Sequence, residues 1–285
     1  MNNNAMFLHN NEIDRAVISS STAAATMPVT HLQNQQRTVM WRSVGAGNQT
    51  IDITLALGEE QVQAFALVDH NLSLSGTVQI EAWSDGLGGA VKVFDMTLQP
   101  YQPVYGYGGI GYGLAGYGGY DASIAAIVDA RAVLRPILAG RIEPSQDARY
   151  WRITLNDPSL SYYQMGRLYL GSTWQPETNF AWGSVQTPEG RTRRLESRGG
   201  QYYGNPRNDR ALIEFNFDWL NNADRDRLKI ISTVLGEHTP FIFVQYPVGG
   251  YEQESSSFYC LFDPFTLRRA FLNNAAALIK LRESL

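Results

Sequence analysis

Residues 51–83 read IDITLALGEEQVQAFALVDHNLSLSGTVQIEAW. The first eight alternate, putting Ile51, Ile53, Leu55 and Leu57 on one face of a strand before Gly58 interrupts it. A second strand, VQAFALVD (Val62 to Asp69), and a third, TVQIEAW (Thr77 to Trp83), follow across the polar turn HNLSLSG, at the short spacing of a β-sandwich. Downstream, RYWRITLND (Arg149 to Asp157) turns Trp151, Ile153 and Leu155 to one face, and RLYLG (Arg167 to Gly171) supplies a further strand. Ser123 to Leu138 is the one stretch here that could hold a short helix, and Pro136 would end it.

Between these strands lies YGYGGIGYGLAGYGGY (Tyr105 to Tyr120). Glycine brings a large conformational entropy cost and no side chain, so this tract cannot pack a core and reads as a surface loop. Its tyrosines offer contact area at little side-chain entropy. The segment after Gly171, as far as Asp209, lacks periodicity and carries several prolines and glycines. A second unit then opens with ALIEFNFDWL (Ala211 to Leu220), which places Ile213, Phe215, Phe217 and Trp219 on one face. NNADRDRLKIISTVLG reads as a helix, with Asn cap candidates, a Leu228–Ile231–Leu235 stripe and Gly236 as terminator. PFIFVQYP, SFYCLFD and ALIKLRES add three strands. The expected fold is therefore all-β, a β-sandwich over residues 1–172 followed by a smaller β-rich domain with one helix over 173–285.

A chain of 285 residues has room for two such domains. Its charged fraction of 18% falls below the roughly 25% of ordinary soluble domains, leaving a neutral, tyrosine-rich surface that is cheaper to desolvate in an assembly. A net charge of -4 argues against nucleic acid as a partner. No stretch approaches the length of a membrane span, and the first residues do not form a secretory signal, so the expected site of synthesis is the cytoplasm. The lone Cys260, in FYCLF, reads as a buried, inert thiol.

The first unit resembles the discoidin or galactose-binding-like family, a jelly-roll β-sandwich, over roughly residues 10–171. The pieces fall in the family's order: an early small-residue stretch leading to Arg37, Trp41, Arg42 and Ser43; the paired strands IDITLALG and QVQAFALVDHN; TVQIEAWSD; and the closing pair RYWRITL and MGRLYLG. The Gly-Tyr tract departs from the family as an insertion. The second unit resembles the C-terminal part of phage tail proteins of the distal-tail or minor-tail type, on its order of strand, DRDRLKIISTVLG helix and PFIFVQYP strand. Together the resemblances imply a non-enzymatic virion protein near the tail tip or baseplate, homo-oligomeric and in contact with other tail proteins. The alternatives are a carbohydrate-binding module contacting host surface glycans and a capsid decoration protein.

Gly111, Gly113 and Gly116 form a G-x-G-x-x-G, but no apolar strand precedes them and the glycines run on to Gly119, so a loop is preferred to a nucleotide site. His9, His31, His70 and His238 stand apart from one another and from any metal-ligand spacing, and no nucleophile elbow is present, so no cofactor, metal or catalytic residue is expected. Sugars stack on aromatic faces and hydrogen-bond to neighbouring polar groups, which makes Trp83, Asp85, Tyr107, Tyr112 and Tyr117 candidate glycan contacts. Arg191, Arg193, Arg194 and Arg198 are the candidate subunit interface, since arginine is enriched there.

Overall fold

The computed structural model describes residues 3–56, 61–101, 136–205, 209–271 and 274–284. The chain divides into two compact units. One comprises Asn10–Thr173 with Val244–Ser257, and the other Met1–His9, Trp174–Phe243 and Phe258–Leu285. This division is interleaved, and so differs from the contiguous expectation of 1–172 and 173–285 in two segments, one before Asn10 and one from Val244 to Ser257.

After β1 (Met6–Asn11), the larger unit is built from β2 (Val17–Ser20), β3 (Trp41–Arg42), β4 (Gln49–Thr54), β5 (Val62–Val68), β6 (Thr77–Trp83), β7 (Lys92–Leu98), β8 (Ile137–Gln146), β9 (Tyr150–Asn156), β10 (Gln164–Met165) and β11 (Arg167–Trp174). Strands β2-β4-β9-β6-β7 form one antiparallel sheet, and β11-β5-β8 run antiparallel in the other. Their inward rows share one core: Ile51, Ile53, Val78, Ile80, Trp151, Ile153 and Leu155 from the first sheet meet Phe65, Leu67, Ile142, Leu168 and Leu170 from the second. Burying each such side chain contributes about 1.5–3 kcal/mol. The result is a jelly-roll β-sandwich, in which the alternation of residues 51–55 and 149–157 marks half-buried strands. β5 is buried on both faces, which explains why AFALV is an unbroken apolar run. On the outer face of the five-stranded sheet, Asp52 and Arg152 stand directly opposite and pair through two hydrogen bonds of 2.6 and 3.0 Å.

The smaller unit holds β12 (Val185–Glu189), β13 (Arg193–Glu196), β14 (Tyr202–Asn205), β15 (Arg210–Leu220), helix α1 (Asn222–Leu235), β16 (Phe241–Val244), β17 (Ser257–Phe262), β18 (Thr266–Phe271) and β19 (Asn274–Glu283). A short helix, α2 (Gly250–Ser255), belongs to the sandwich unit. The order β12-β15-β19-β17-β16-β1 makes the sheet, with β18 also on β19. Helix α1 starts where Asn221 accepts from the Asp224 amide at 2.7 Å and stops at Gly236, whose φ of 60° suits glycine. Its Leu228, Ile231 and Leu235 close over Ile213, Phe215, Phe217 and Phe243, and Phe215 and Phe243 stack at 5.0 Å. Cys260 is buried in this core, and burial pushes its thiol well above the usual range.

Two expectations are corrected. Trp219 does not share the inward face with Phe217, because a register shift between Phe217 and Leu220 gives the inward position to Leu220 and leaves Trp219 60% exposed. The segment after Gly171 is not irregular throughout, since it contains β12, β13 and β14. Among the described residues, β12 lies at a sheet edge and β13 pairs with β14 alone. Their described side chains lack a buried face, so no hydrophobic alternation marks them. The helix candidate falls largely outside the described residues, and its last two residues, Ile137 and Leu138, begin β8.

Candidate functional site

A cluster of polar and aromatic groups sits at the end of the sandwich where β9 finishes and β10 begins. β3 and β10 are two-residue strands that pair Arg42 with Gln164 and Trp41 with Met165. Neighbouring residues of a strand point to opposite faces, so burying Trp41 and Met165 turns Arg42 and Gln164 outward together. Across the pair, the Arg42 Nε and Nη2 donate to Gln164 Oε1 at 3.2 and 2.7 Å.

The same alternation works one step upstream. Tyr163 is buried, with its hydroxyl accepting from the Asp157 amide at 2.7 Å, and Tyr162 faces out at 36% exposure. The Arg42 guanidinium lies 4.2 Å from the centroid of the Tyr162 ring, well within cation-π range. Asn71 braces the loop: its Nδ2 donates to the Tyr162 carbonyl at 2.9 Å, and its Oδ1 accepts from the Gln164 amide at 2.8 Å. Ser43 contributes a further tie, its amide donating to the Tyr163 carbonyl and its hydroxyl accepting from the Tyr163 amide, both at 2.9 Å.

Beneath this face the supports are charged and buried. Asp157 accepts from the amides of Ser73 and Ser159 at 2.6 and 3.0 Å and from the Ser159 hydroxyl at 2.7 Å. Burial alone would raise its carboxyl, but the hydrogen bonds from Ser159 and Ser73 outweigh it and hold the group below the usual range. Arg37, 3% exposed, pairs with Asp69, whose φ of 55° is one that aspartate tolerates better than most residues. His70 follows at 4% exposure, with no hydrogen-bond partner on either ring nitrogen among the described residues, its ring 5.6 Å from that of Tyr101. Burial lowers its pKa from 6.5 to about 4.

Trp83 and Asp85 lie at the opposite end of the sandwich, where β6 meets the start of β9. Trp83 is 4% exposed, with Lys92 Nζ and Arg152 Cζ each 5.8 Å from its ring centroid, so it packs and presents no open face to a sugar. Asp85 closes its own turn by accepting from the amides of Ala90 and Val91 at 3.0 and 3.4 Å. Tyr107, Tyr112, Tyr117 and the Gly111–Gly116 motif fall outside the described residues. Arg191 and Arg198 are exposed in the smaller unit, and Arg193 and Arg194 lie on β13. Among the described residues, no three His, Cys, Asp or Glu side chains are placed to hold a metal ion.

The structure thus defines an all-β protein whose sandwich unit presents an ordered polar-aromatic loop face. No family model matches the chain, and no curated protein matches it. Among solved structures, it is similar to the family 32 carbohydrate-binding module of C. perfringens NanJ in complex with galactose, at 11% identity over 59% of this chain and 99% of that one, with a TM-score of 0.38. It is also similar to a chitosan-binding module of a Paenibacillus chitosanase/glucanase, at 15% identity over 57% of this chain and 100% of that one (TM-score 0.36). A Streptococcus pneumoniae fucose-binding module is similar at 10% identity over 57% of this chain and 98% of that one (TM-score 0.36).

Proposed function

We propose that the sandwich unit is a non-catalytic saccharide-binding module whose ligand face comprises Arg42, Asn71, Tyr162 and Gln164. One observation carries this reading: the Arg42 guanidinium is fixed in place by the Tyr162 ring on one side and Gln164 Oε1 on one edge, at a partly exposed loop end. A saccharide ring needs an apolar face to lie against and planar donors to meet its oxygens, and rigid groups spend less entropy on binding it. Tyr162 supplies the face, and Arg42 and Asn71 the donors. Calorimetric titration with galactose, fucose and chitosan oligosaccharides, followed by a wider glycan array, tests the reading. Binding that Tyr162→Ala and Arg42→Ala each weaken supports it. Binding that both variants retain unchanged places the ligand elsewhere, and no binding to any glycan removes the proposal.

A second reading, a structural subunit of an assembly such as a phage tail, is favoured by large apolar side chains exposed on the smaller unit, where Trp182 is 103%, Val234 74% and Trp219 60% exposed. Light scattering tests it: a discrete oligomer supports an assembly role, and a monomer at every concentration counts against one.

A further inference from the structure

We infer that the saccharide bound at Arg42 carries a carboxylate, as a uronic or sialic acid does; this rests on the saccharide reading above. The argument begins with the donors of the guanidinium, which are five N–H groups in a planar fork. Gln164 Oε1 takes the Nε and one Nη2 donor, which lie on the same edge. The remaining Nη1–Nη2 edge holds two parallel N–H groups, the geometry that grips the two oxygens of a carboxylate.

Charge points the same way. Eight arginines, Arg15, Arg37, Arg141, Arg152, Arg167, Arg210, Arg225 and Arg282, pair with a carboxylate, whereas among the described residues Arg149, Arg191, Arg198, Arg227, Arg268 and Arg269 make no ion pair, and of the unpaired arginines Arg42 is the one also held by a side-chain amide. Arg42 is held instead by a neutral amide and a phenol ring, and among the described residues no Asp or Glu makes an ion pair with it. The backbone beneath it is anchored by the buried Trp41 and by bonds from the Arg42 amide to the Met27 carbonyl (3.2 Å) and from the Ala24 amide to the Arg42 carbonyl (2.8 Å). A positive charge so positioned, with its Nη1–Nη2 edge unbonded among the described residues, selects an anion over a hydroxyl. A carboxylate presents both of its oxygens to that edge at once, an arrangement a sulfate ester also offers, and titration separates the two.

The test is calorimetric titration of the full chain with uronic and sialic acid oligosaccharides, each beside its methyl ester, and with sulfated and neutral oligosaccharides of the same length. The expected result is that an acid binds about tenfold more tightly than its ester, an advantage that shrinks as salt rises. Arg42→Gln is expected to weaken the acid about tenfold more than the ester. Equal affinity for acid and ester, with both lowered alike by Arg42→Gln, overturns the carboxylate inference and leaves the saccharide reading standing. Preference for the sulfated ligand over every carboxylate also overturns it. Absence of binding by acid, ester, sulfated and neutral sugars alike overturns both.

Discussion

His70 makes the sandwich sensitive to acid, and the size of the effect follows from its surroundings. The side chain is 4% exposed, both nitrogens lack a partner among the described residues, and burial lowers its pKa to about 4 from 6.5. The adjacent Asp69 is paired with Arg37, and Tyr101 supplies an aromatic ring rather than a charge. Because the unfolded chain binds a proton below pH 6.5 and the folded one does not until about pH 4, stability falls as pH drops through that window. At about 1.4 kcal/mol per pH unit the whole interval costs roughly 3 kcal/mol, and about 2 kcal/mol of it is lost between pH 7 and 4.5. Other groups also titrate there, so the readout is a difference between two proteins. His70→Phe keeps a ring against Tyr101 and removes the two unpartnered nitrogens, which makes it neutral or stabilising at pH 7. Urea unfolding at half-unit pH intervals should show the wild type losing about 2 kcal/mol more than His70→Phe over that range. Parallel curves for the two proteins would refute the reasoning and mean that His70 is hydrated or paired when folded.

Three further outcomes are expected. Arg37→Gln removes one partner of a nearly buried ion pair and leaves Asp69 uncompensated, so denaturant unfolding should show a loss of about 3–5 kcal/mol. Gly171→Ala would place a Cβ 2.0 Å from the Asn10 carbonyl oxygen, a backbone atom that cannot move aside cheaply, and should lower stability by about 3 kcal/mol in the same assay. Trp182→Ala should change stability by less than about 0.5 kcal/mol, since the side chain is fully exposed, whereas Phe215→Ala, in the aromatic core, should cost about 3–5 kcal/mol.

The strands that pack a core were legible because packing writes a period into the sequence. Ile51 and Ile53, Trp151 to Leu155, and Ile213 to Phe217 alternate for that reason, and the Leu228–Ile231–Leu235 stripe marks the helix equally plainly. Where no face is buried there is no period, and so β12 and the β13–β14 hairpin left no mark. Trp219 misled because one bulge reverses every facing beyond it, and a bulge has no composition of its own. The loop face was the least legible. Arg42 and Gln164 are 122 positions apart and meet through two-residue strands, too short to show alternation. The local signals were the Arg37, Trp41, Arg42 and Ser43 segment of the galactose-binding-like resemblance and the pairing of a bulky apolar residue with a polar one in Trp41-Arg42 and its counterpart Met165-Gln164. Trp83 attracted attention as an aromatic near Asp85, yet the Lys92 and Arg152 side chains pack against its ring and it is buried.

The central claim is that a saccharide binds at Arg42 and Tyr162. A crystal structure of the full chain with a bound acidic oligosaccharide tests it most directly. The expected result is a sugar ring lying along the exposed side of Tyr162, with ligand oxygens within hydrogen-bond reach of the Arg42 Nη1 and Nη2. Clear density for the ligand at Trp182, at Trp83 or anywhere else on the chain, with the Arg42–Tyr162 face bare, would contradict it.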